Sequence, residues 1–321
     1  MRKGTLYFHS NCFDGLVSAV LTWVFLETKS WHFQEFLPVN YDLRTTWLSD
    51  PLKAPAAVVD FLYHPGADFW ADHHPTTFLT TAAKDDFEKR STQNCLLYDP
   101  RAGSCASLLW KSFHSCIPNA ERYRDAVSWA EKIDTANYAS VDEAIWGDSP
   151  ALLIKHTLSV GNEPSYYRFL LSEMRSGELS RIAELAPVAE RSNEVRQRIG
   201  AGIERVRECA RLMGDVAVMD FESSSDDIVS RYAPYHFFPK ARYSISVLRS
   251  AADVRISTMR NPWINFRSIP LGKIMEAFGG GGHERVGSVL IPKEKSDQTN
   301  KVVDRLLAEM QSQSPIESVT V

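Results

Sequence analysis

Long apolar runs and paired cysteines are both scarce in this chain. The longest nearly apolar stretch, residues 16–26, is interrupted by Ser18 and Thr22. It is shorter than the roughly 20 residues that a membrane span requires. No basic segment followed by a cleavable apolar segment opens the sequence. The five cysteines include no CxxC pair, which argues against a disulfide framework and against a cysteine zinc site. We therefore predict a cytoplasmic protein without a membrane partner.

A large excess of charge is also lacking, although the two halves of the chain differ. The 321 residues carry 36 Lys+Arg and 40 Asp+Glu and are 44% hydrophobic, which is typical of about two globular domains. Residues 1–150 hold 13 basic and 19 acidic side chains, whereas residues 151–321 hold 23 and 21. An acidic half suits cations and a basic half suits phosphate, although ordinary solvated faces explain the charges equally well. The modest total charge argues against long duplex nucleic acid as a partner.

Strands that alternate with helices predict an α/β fold. The first half has β-prone runs and amphipathic or apolar helical runs in alternation, which is typical of a parallel sheet covered by helices. A charged helical stretch follows, and strand-like runs then resume. We predict three parts: a parallel-sheet domain at 1–186, a helical linker at 187–212 and a smaller α/β domain at 213–321.

Aspartate and histidine residues occur where elements of the first domain are expected to end. Two of the histidines, His73 and His74, are adjacent and follow Asp72, and such a pair beside a carboxylate rarely serves packing. Parallel strands of an open sheet bring such ends to one crevice, and mixed carboxylate and imidazole ligands suit Mn²⁺ better than Ca²⁺. Two such ions can activate a water for attack on phosphorus. Taken singly, several of these residues have ordinary explanations, such as a helix cap or a turn. The residues are His9, Asp14, Asp60, Asp72, His73, His74 and Asp134.

Four consecutive glycines, residues 279–282, precede His283. Such a run destabilises any regular element, and we therefore predict a loop whose amides surround a phosphate or a carboxylate. A flexible hinge is the alternative. Residues 231–285 hold nine basic and three acidic side chains, which favours the phosphate interpretation.

Together these motifs resemble the DHH phosphoesterase superfamily, in the branch with a DHH-associated C-terminal domain that includes nanoRNase-like oligoribonucleases. Asp72-His73-His74 matches the eponymous motif, Asp60 matches the preceding strand-end aspartate, and the run from Gly280 to His283 matches the signature of the second domain. The resemblance extends from about residue 5 to residue 292, which is nearly the whole chain.

The resemblance implies two metal ions, usually Mn²⁺ with Mg²⁺ or Co²⁺ as alternatives, and an active site in the cleft between the domains. Asp60 would bridge the ions, Asp72 would orient a neighbouring imidazole, and His74 would face the scissile phosphate. Asp125 and Asp142 are alternatives to one ligand, Asp134. The implied metal ligands are His9, Asp14, Asp60, His73 and Asp134. The implied substrate-binding residues are Arg260, Gly280, Gly281, Gly282 and His283.

One departure from the family pattern lies in the first motif. The family has two or three aspartates at alternate positions there, whereas this chain keeps only Asp14 beside Asn11, Cys12 and Phe13. The Asn11 carbonyl, the Cys12 thiolate or a water are alternative substitutes for the lost carboxylate. His64 is a further candidate ligand, although a histidine in a loop is the simpler interpretation.

From these residues we predict a metal-dependent phosphohydrolase or phosphodiesterase. Its substrates would be short oligonucleotides or small phosphorylated nucleotides, and a metal-activated water would release mononucleotides stepwise, as an exonuclease does. The alternative is a non-catalytic nucleotide-binding or regulatory member of the same superfamily. A RecJ-like enzyme on long strands is disfavoured because the chain has no further domain to track a strand. A pyrophosphatase of the superfamily is disfavoured by the glycine-His signature, and a homodimer is left open.

Overall fold

Two compact units make up the protein in the computed structural model. The structure describes residues 2–92, 95–161, 163–224 and 226–312, with the side chain of His283 excepted. The first unit comprises Met1–Tyr138 and Asp148–Val195, and the second comprises Ala139–Gly147 and Arg196–Val321. The predicted α/β class, with one parallel sheet and a second sheet in a smaller domain, is confirmed.

The elements follow one another along the chain as strands β1–β11 and helices α1–α12. The strands are β1 Arg2–His9, β2 Trp31–Val39, β3 Ala56–Val59, β4 Phe69–Asp72, β5 Leu96–Tyr98, β6 Arg211–Met213, β7 Val216–Glu222, β8 Tyr243–Arg249, β9 Asp253–Arg260, β10 Gly281–His283 and β11 Val286–Pro292. The helices are α1 Phe13–Glu27, α2 Thr81–Arg90, α3 Cys105–Phe113, α4 Arg124–Asp134, α5 Val141–Trp146, α6 Pro150–Thr157, α7 Pro164–Ser176, α8 Leu179–Ala183, α9 Ala186–Cys209, α10 Ala233–Phe237, α11 Leu271–Glu276 and α12 Thr299–Gln311. None of the described helices is long and apolar enough to cross a bilayer.

The first unit is built on a parallel five-stranded sheet with the strand order β2-β1-β3-β4-β5. Strands β3 and β4 are buried along their whole length, as parallel strands covered on both faces must be. Helix α1 is apolar on nearly all sides and is almost wholly buried, where each Leu or Val side chain contributes about 1.5–3 kcal/mol of burial. All five strands therefore end at the same edge of the sheet.

The second unit contains a six-stranded sheet with the strand order β10-β11-β9-β8-β7-β6. Only the β7–β8 pair is parallel in this described sheet, and the other pairs are antiparallel. One face of the sheet packs against α11 and α12, and its core contains Ile245, Ile256, Leu271, Met275 and Leu306. The short helix α5 belongs to this unit and contacts α10.

The glycine run differs from the predicted loop, because Gly281 and Gly282 lie in strand β10, which pairs antiparallel with β11. A Cβ at Gly280 would lie 2.1 Å from the Ser288 carbonyl oxygen. Glycine is therefore required here so that the chain can approach β11 closely. A Cβ at Gly281, by contrast, would meet no atom within 4 Å.

Candidate metal centre

Three neighbouring strands bring polar side chains to the carboxyl edge of the parallel sheet. β1 ends at His9, Asp60 follows β3 directly, and β4 ends at Asp72. Because β1 pairs with β3 and β3 pairs with β4, these residues lie side by side. Asp60 adopts a left-handed backbone with φ 55°, which is uncommon for a residue other than glycine and turns the chain sharply out of the sheet.

His73 lies among three carboxylates. Its Nε2 is 3.2 Å from Asp134 Oδ2 and 3.7 Å from one carboxylate oxygen of each of Asp14 and Asp60. Its Nδ1 lies 3.0 Å from the Ala102 carbonyl oxygen, which can only accept a hydrogen bond. Nδ1 is therefore the donor, and the lone pair of the neutral ring is on Nε2, directed at the carboxylates. Such an arrangement repels unless a proton or a metal ion lies between the groups.

The pKa of His73 reflects this surrounding. Burial favours the neutral ring, but the Asp134 and Asp14 carboxylates outweigh it and raise the pKa of His73 to about 9. A metal ion at the same position would take over the role of that proton.

His74 is oriented by the carboxylate two residues before it. Asp72 is fully buried, and its Oδ1 lies 2.7 Å from His74 Nδ1 while also accepting the His73 amide at 2.8 Å. Burial alone would oppose ionisation of Asp72, but the neighbouring His74 holds the pKa of Asp72 below its ordinary value. Asp72 also raises the pKa of His74 against the effect of burial. This is the geometry expected of a carboxylate that fixes an imidazole.

Asp14 is held by main-chain amides at the start of α3. Its Oδ2 accepts the Cys105 amide at 2.7 Å and its Oδ1 accepts the Ala106 amide at 2.8 Å. Burial, and then the nearby Asp134 carboxylate, nevertheless raise the pKa of Asp14. Gly15 allows helix α1 to approach the end of β1 this closely. Any other residue would place its Cβ 2.2 Å from the His9 carbonyl oxygen.

Asp60, like Asp72, is fully buried. Its Oδ2 lies 3.3 Å from His9 Nδ1, while its Oδ1 has no hydrogen-bond partner among the described residues. Burial, followed by the Asp14 and Asp134 carboxylates, raises the pKa of Asp60 well above its ordinary range. A buried acceptor without a partner costs about 1–3 kcal/mol, so its retention points to a role as a cation ligand.

Three groups of ligand atoms can be drawn from these side chains, each with its atoms within 4.8 Å of one another. Asp60 and His73 each belong to two of the groups. The donor set is mixed carboxylate and imidazole, with one thiol, which suits borderline divalent ions such as Mn²⁺, Co²⁺ or Zn²⁺. The residues present thus fit the pair of metal ions that the resemblance implies. The groups are Asp60, Asp72, His73 and His74; His9, Cys12 and Asp60; and Asp14, His73 and Asp134.

Among the alternatives from the sequence, the structure brings Asp134 rather than Asp142 to the cluster. Asp142 lies in the second unit, 3.5 Å from His236, and Asp125 lies in the first turn of α4, at the end of the helix opposite to Asp134. The two ring nitrogens of His64 lie at hydrogen-bond distance from the main chain, at the Asp50 carbonyl and the Gly66 amide, and it packs against Trp47.

Two tyrosines near the centre were missed by the sequence reasoning. The Tyr41 ring lies 5.2 Å from His9 and 6.4 Å from His74, measured between ring centroids. The Tyr167 hydroxyl accepts the Asn11 amide at 2.7 Å and donates to Asn11 Oδ1 at 3.0 Å. Neither tyrosine belongs to a motif, so no sequence signal identifies it.

The predicted substrate-binding residues all lie in the second unit. Arg260 ends β9 and is 9% exposed. Its guanidinium donates to the carbonyls of Asn261, Ile264 and Phe266, and it lies 4.4 Å from the Phe266 ring centroid. Much of this side chain therefore supports the loop after β9. The glycine run lies in and before β10, which His283 ends.

No family model matches the chain, and no curated protein sequence matches it either. Among solved structures it is similar to the pGpG-specific phosphodiesterase PggH from Vibrio cholerae, with a TM-score of 0.71, 18% identity, and coverage of 98% of this chain and 100% of that chain. The chain shares the fold of this solved structure. The resemblance predicted from the motifs is thereby confirmed at the level of the fold.

Two other solved structures with the same fold are more distant. An exopolyphosphatase-related protein from Bacteroides fragilis matches with a TM-score of 0.52 and 12% identity, over 97% of this chain and 94% of that chain. RecJ from Thermus thermophilus, in complex with Mn²⁺, matches with a TM-score of 0.53 and 12% identity, over 98% of this chain and 52% of that chain. The chain thus spans about half the length of RecJ.

Proposed function

We propose that the protein is a metal-dependent phosphodiesterase that hydrolyses short oligonucleotides or small phosphorylated nucleotides. One observation carries the proposal: four carboxylates and three imidazoles meet at the carboxyl edge of the parallel sheet, with the buried Asp60 shared between two ligand groups. A cluster in which several carboxylates repel one another is costly without cations. Its retention is best explained by a pair of divalent ions, and Mn²⁺ is our first choice because RecJ was solved with it.

Divalent ions at such a centre polarise a phosphate ester and lower the pKa of water. The chain's own residues would prepare the site for that chemistry. The Ala102 carbonyl fixes His73 so that Nε2 faces the cluster, and Asp60 presents an oxygen without a hydrogen-bond partner among the described residues. Asp72 holds the His74 ring in place, and we propose that His74 contacts the scissile phosphate.

The substrate class is the less direct part of the proposal. The similar structure from Vibrio cholerae is named a pGpG-specific phosphodiesterase, and pGpG is therefore the first substrate to test on this chain. We propose that Arg260, Gly280, Gly281, Gly282 and His283 contact the terminal nucleotide or phosphate, as the resemblance implies. Gly281 supports this because open space lies where its side chain would be.

The experiment is hydrolysis of 5′-labelled pGpG and of other RNA dinucleotides with Mn²⁺, beside the same reaction in EDTA. We expect metal-dependent release of mononucleotides and its loss in Asp60→Ala and His73→Ala. His32→Ala is the matched control, because His32 is exposed on β2 and lies outside the cluster.

A folded, metal-loaded protein that hydrolyses none of these substrates would contradict the proposed activity. In that case, stabilisation by nucleotide in EDTA would instead support the non-catalytic nucleotide-binding alternative. Mg²⁺ and Co²⁺ replace Mn²⁺ in parallel reactions, so that the wrong ion is not mistaken for an inactive protein.

A further inference from the structure

The first motif departs from its family because Asp14 is the only aspartate left in it, and the structure distinguishes two candidate substitutes for the lost carboxylate, Asn11 and Cys12. The Asn11 side-chain oxygen accepts a hydrogen bond from the Tyr167 hydroxyl at 3.0 Å, and the Asn11 amide donates to the same hydroxyl at 2.7 Å. Both polar groups are thus engaged with helix α7. Asn11 also has a left-handed backbone, with φ 57°, which Asn tolerates better than most residues. Asn11 therefore stabilises the turn through its hydrogen bonds to Tyr167, which makes it the weaker candidate for a metal ligand.

Cys12 has a different position. It stands at the N-cap of the 15-residue helix α1, and burial, followed by the nearby Asp60 carboxylate, raises the pKa of its thiol. Its Sγ, a nitrogen of His9 and a carboxylate oxygen of Asp60 all lie within 4.8 Å of one another. Asp60 is fully buried, and its Oδ1 has no hydrogen-bond partner within the described part of the chain. The sulfur therefore lies beside a buried carboxylate that has an unsatisfied oxygen.

From this geometry we propose that Cys12 Sγ is a direct ligand of one of the two metal ions, together with His9 and Asp60. The inference rests on the metal centre of the proposed function and deepens it by naming the kind of ion. A thiolate ligand makes this one position prefer thiophilic ions such as Zn²⁺ or Co²⁺ over Mg²⁺. Binding forms a metal–sulfur bond, breaks the S–H bond and releases that proton to solvent.

The direct test is a Co²⁺ titration followed by absorption, because sulfur-to-cobalt charge transfer gives a near-ultraviolet band that nitrogen and oxygen ligands do not give. We expect the band in the wild-type protein and in the control Cys116→Ser, since Cys116 is an exposed cysteine of the same unit. We expect it to be absent in Cys12→Ser and Cys12→Asp.

Zn²⁺ affinity provides a second readout. We expect it to fall at least about tenfold in Cys12→Ser, since even residues that only support a ligand change metal affinity by about 10- to 100-fold. Cys12→Asp should restore binding of Mg²⁺ and Mn²⁺ relative to Cys12→Ser while still lacking the charge-transfer band. A band that persists in Cys12→Ser would overturn the proposal.

Alkylation of the wild-type protein needs no variant and therefore does not depend on folding of the mutants. Zn²⁺ or Co²⁺ should protect Cys12 from iodoacetamide, as measured by mass spectrometry of the peptides, and should leave Cys116 reactive. Equal labelling of Cys12 with and without bound metal would overturn the proposal. Hydrolysis measured on the same samples distinguishes the thiolate-ligand proposal from the proposed activity. Turnover without a sulfur-to-cobalt band would contradict the thiolate ligand alone. A sulfur-to-cobalt band without turnover with any ion would contradict the proposed activity alone.

Discussion

The hydroxyl of Tyr167 holds the first motif of the metal centre, and replacing it tests that arrangement. Tyr167 is 1% exposed in α7, and its hydroxyl makes both an accepted and a donated hydrogen bond with Asn11. A hydrogen bond contributes about 0.5–1.5 kcal/mol net to stability. Tyr167→Phe removes both hydrogen bonds to Asn11, whose backbone is left-handed. We therefore expect the free energy of unfolding to fall by about 2 kcal/mol.

The adjacent Tyr166 supplies a matched control in the same helix. It is also buried, at 8% exposure, but its hydroxyl has no hydrogen-bond partner within the ranges that the structure describes. Tyr166→Phe should therefore change the free energy of unfolding by no more than about 0.5 kcal/mol. Urea unfolding followed by circular dichroism measures both variants. Equal effects of the two substitutions would refute the role assigned to the Tyr167–Asn11 pair.

Three further predictions concern the metal centre and the glycine run. Asp60→Asn should leave the metal-free protein at least as stable as wild type, because it relieves repulsion among buried carboxylates. It should also abolish the stabilisation by metal, which for the wild-type protein is about 2.7 kcal/mol at a metal concentration 100 times Kd. Thermal unfolding with Mn²⁺ and with EDTA measures both effects. Because the pKa of His73 is raised to about 9, metal binding at pH 7 should release a proton, which calorimetry in buffers of different ionisation enthalpy detects. For the same reason, the metal-free protein should lose the stabilisation from His73 as the pH rises from about 6.5 through about 9. Gly280→Ala should destabilise the second unit by about 1–3 kcal/mol. Gly281→Ala should leave stability unchanged but raise KM. A KM equal to that of the wild-type protein would argue against substrate contact at Gly281.

The positions of the metal-binding candidates were predictable because they depend on a local pattern. A buried apolar strand followed by a carboxylate, as at Asp60, places that carboxylate at the edge of a parallel sheet whatever the neighbouring loops do. The same reasoning places His9 and Asp72, and the structure brings all three together. Asp134 was less certain, because the sequence left Asp125 and Asp142 as alternatives to it, and only the structure places the end of helix α4 beside the cluster.

Features that depend on distant contacts were not predictable in this way. Gly281 and Gly282 form part of a strand because β11 follows the glycine run and pairs closely with it, and no periodicity within the run indicates this. Strand β2 alternates buried and exposed residues only in its first half and contains Pro38 near its end, as an edge strand tolerates. The Tyr167–Asn11 pair joins residues 156 positions apart, and neither residue type predicts the other.

The electrostatics of the cluster explain why its residues are better understood as ligands than as stabilising groups. Asp60 and Asp14 are buried, and their pKa values are raised by that burial and by the carboxylates around them, each of which opposes ionisation of its neighbours. His9 is driven the other way: burial, and then His74, lower its pKa to about 4. These three groups therefore resist the charged forms that ion pairing would use, and apolar residues of similar volume would pack at lower cost. A divalent cation would favour the anionic form of both carboxylates, and it would bind the neutral imidazole that burial already favours at His9. The cost of the metal-free cluster is therefore itself an argument for the proposal that these residues hold divalent cations.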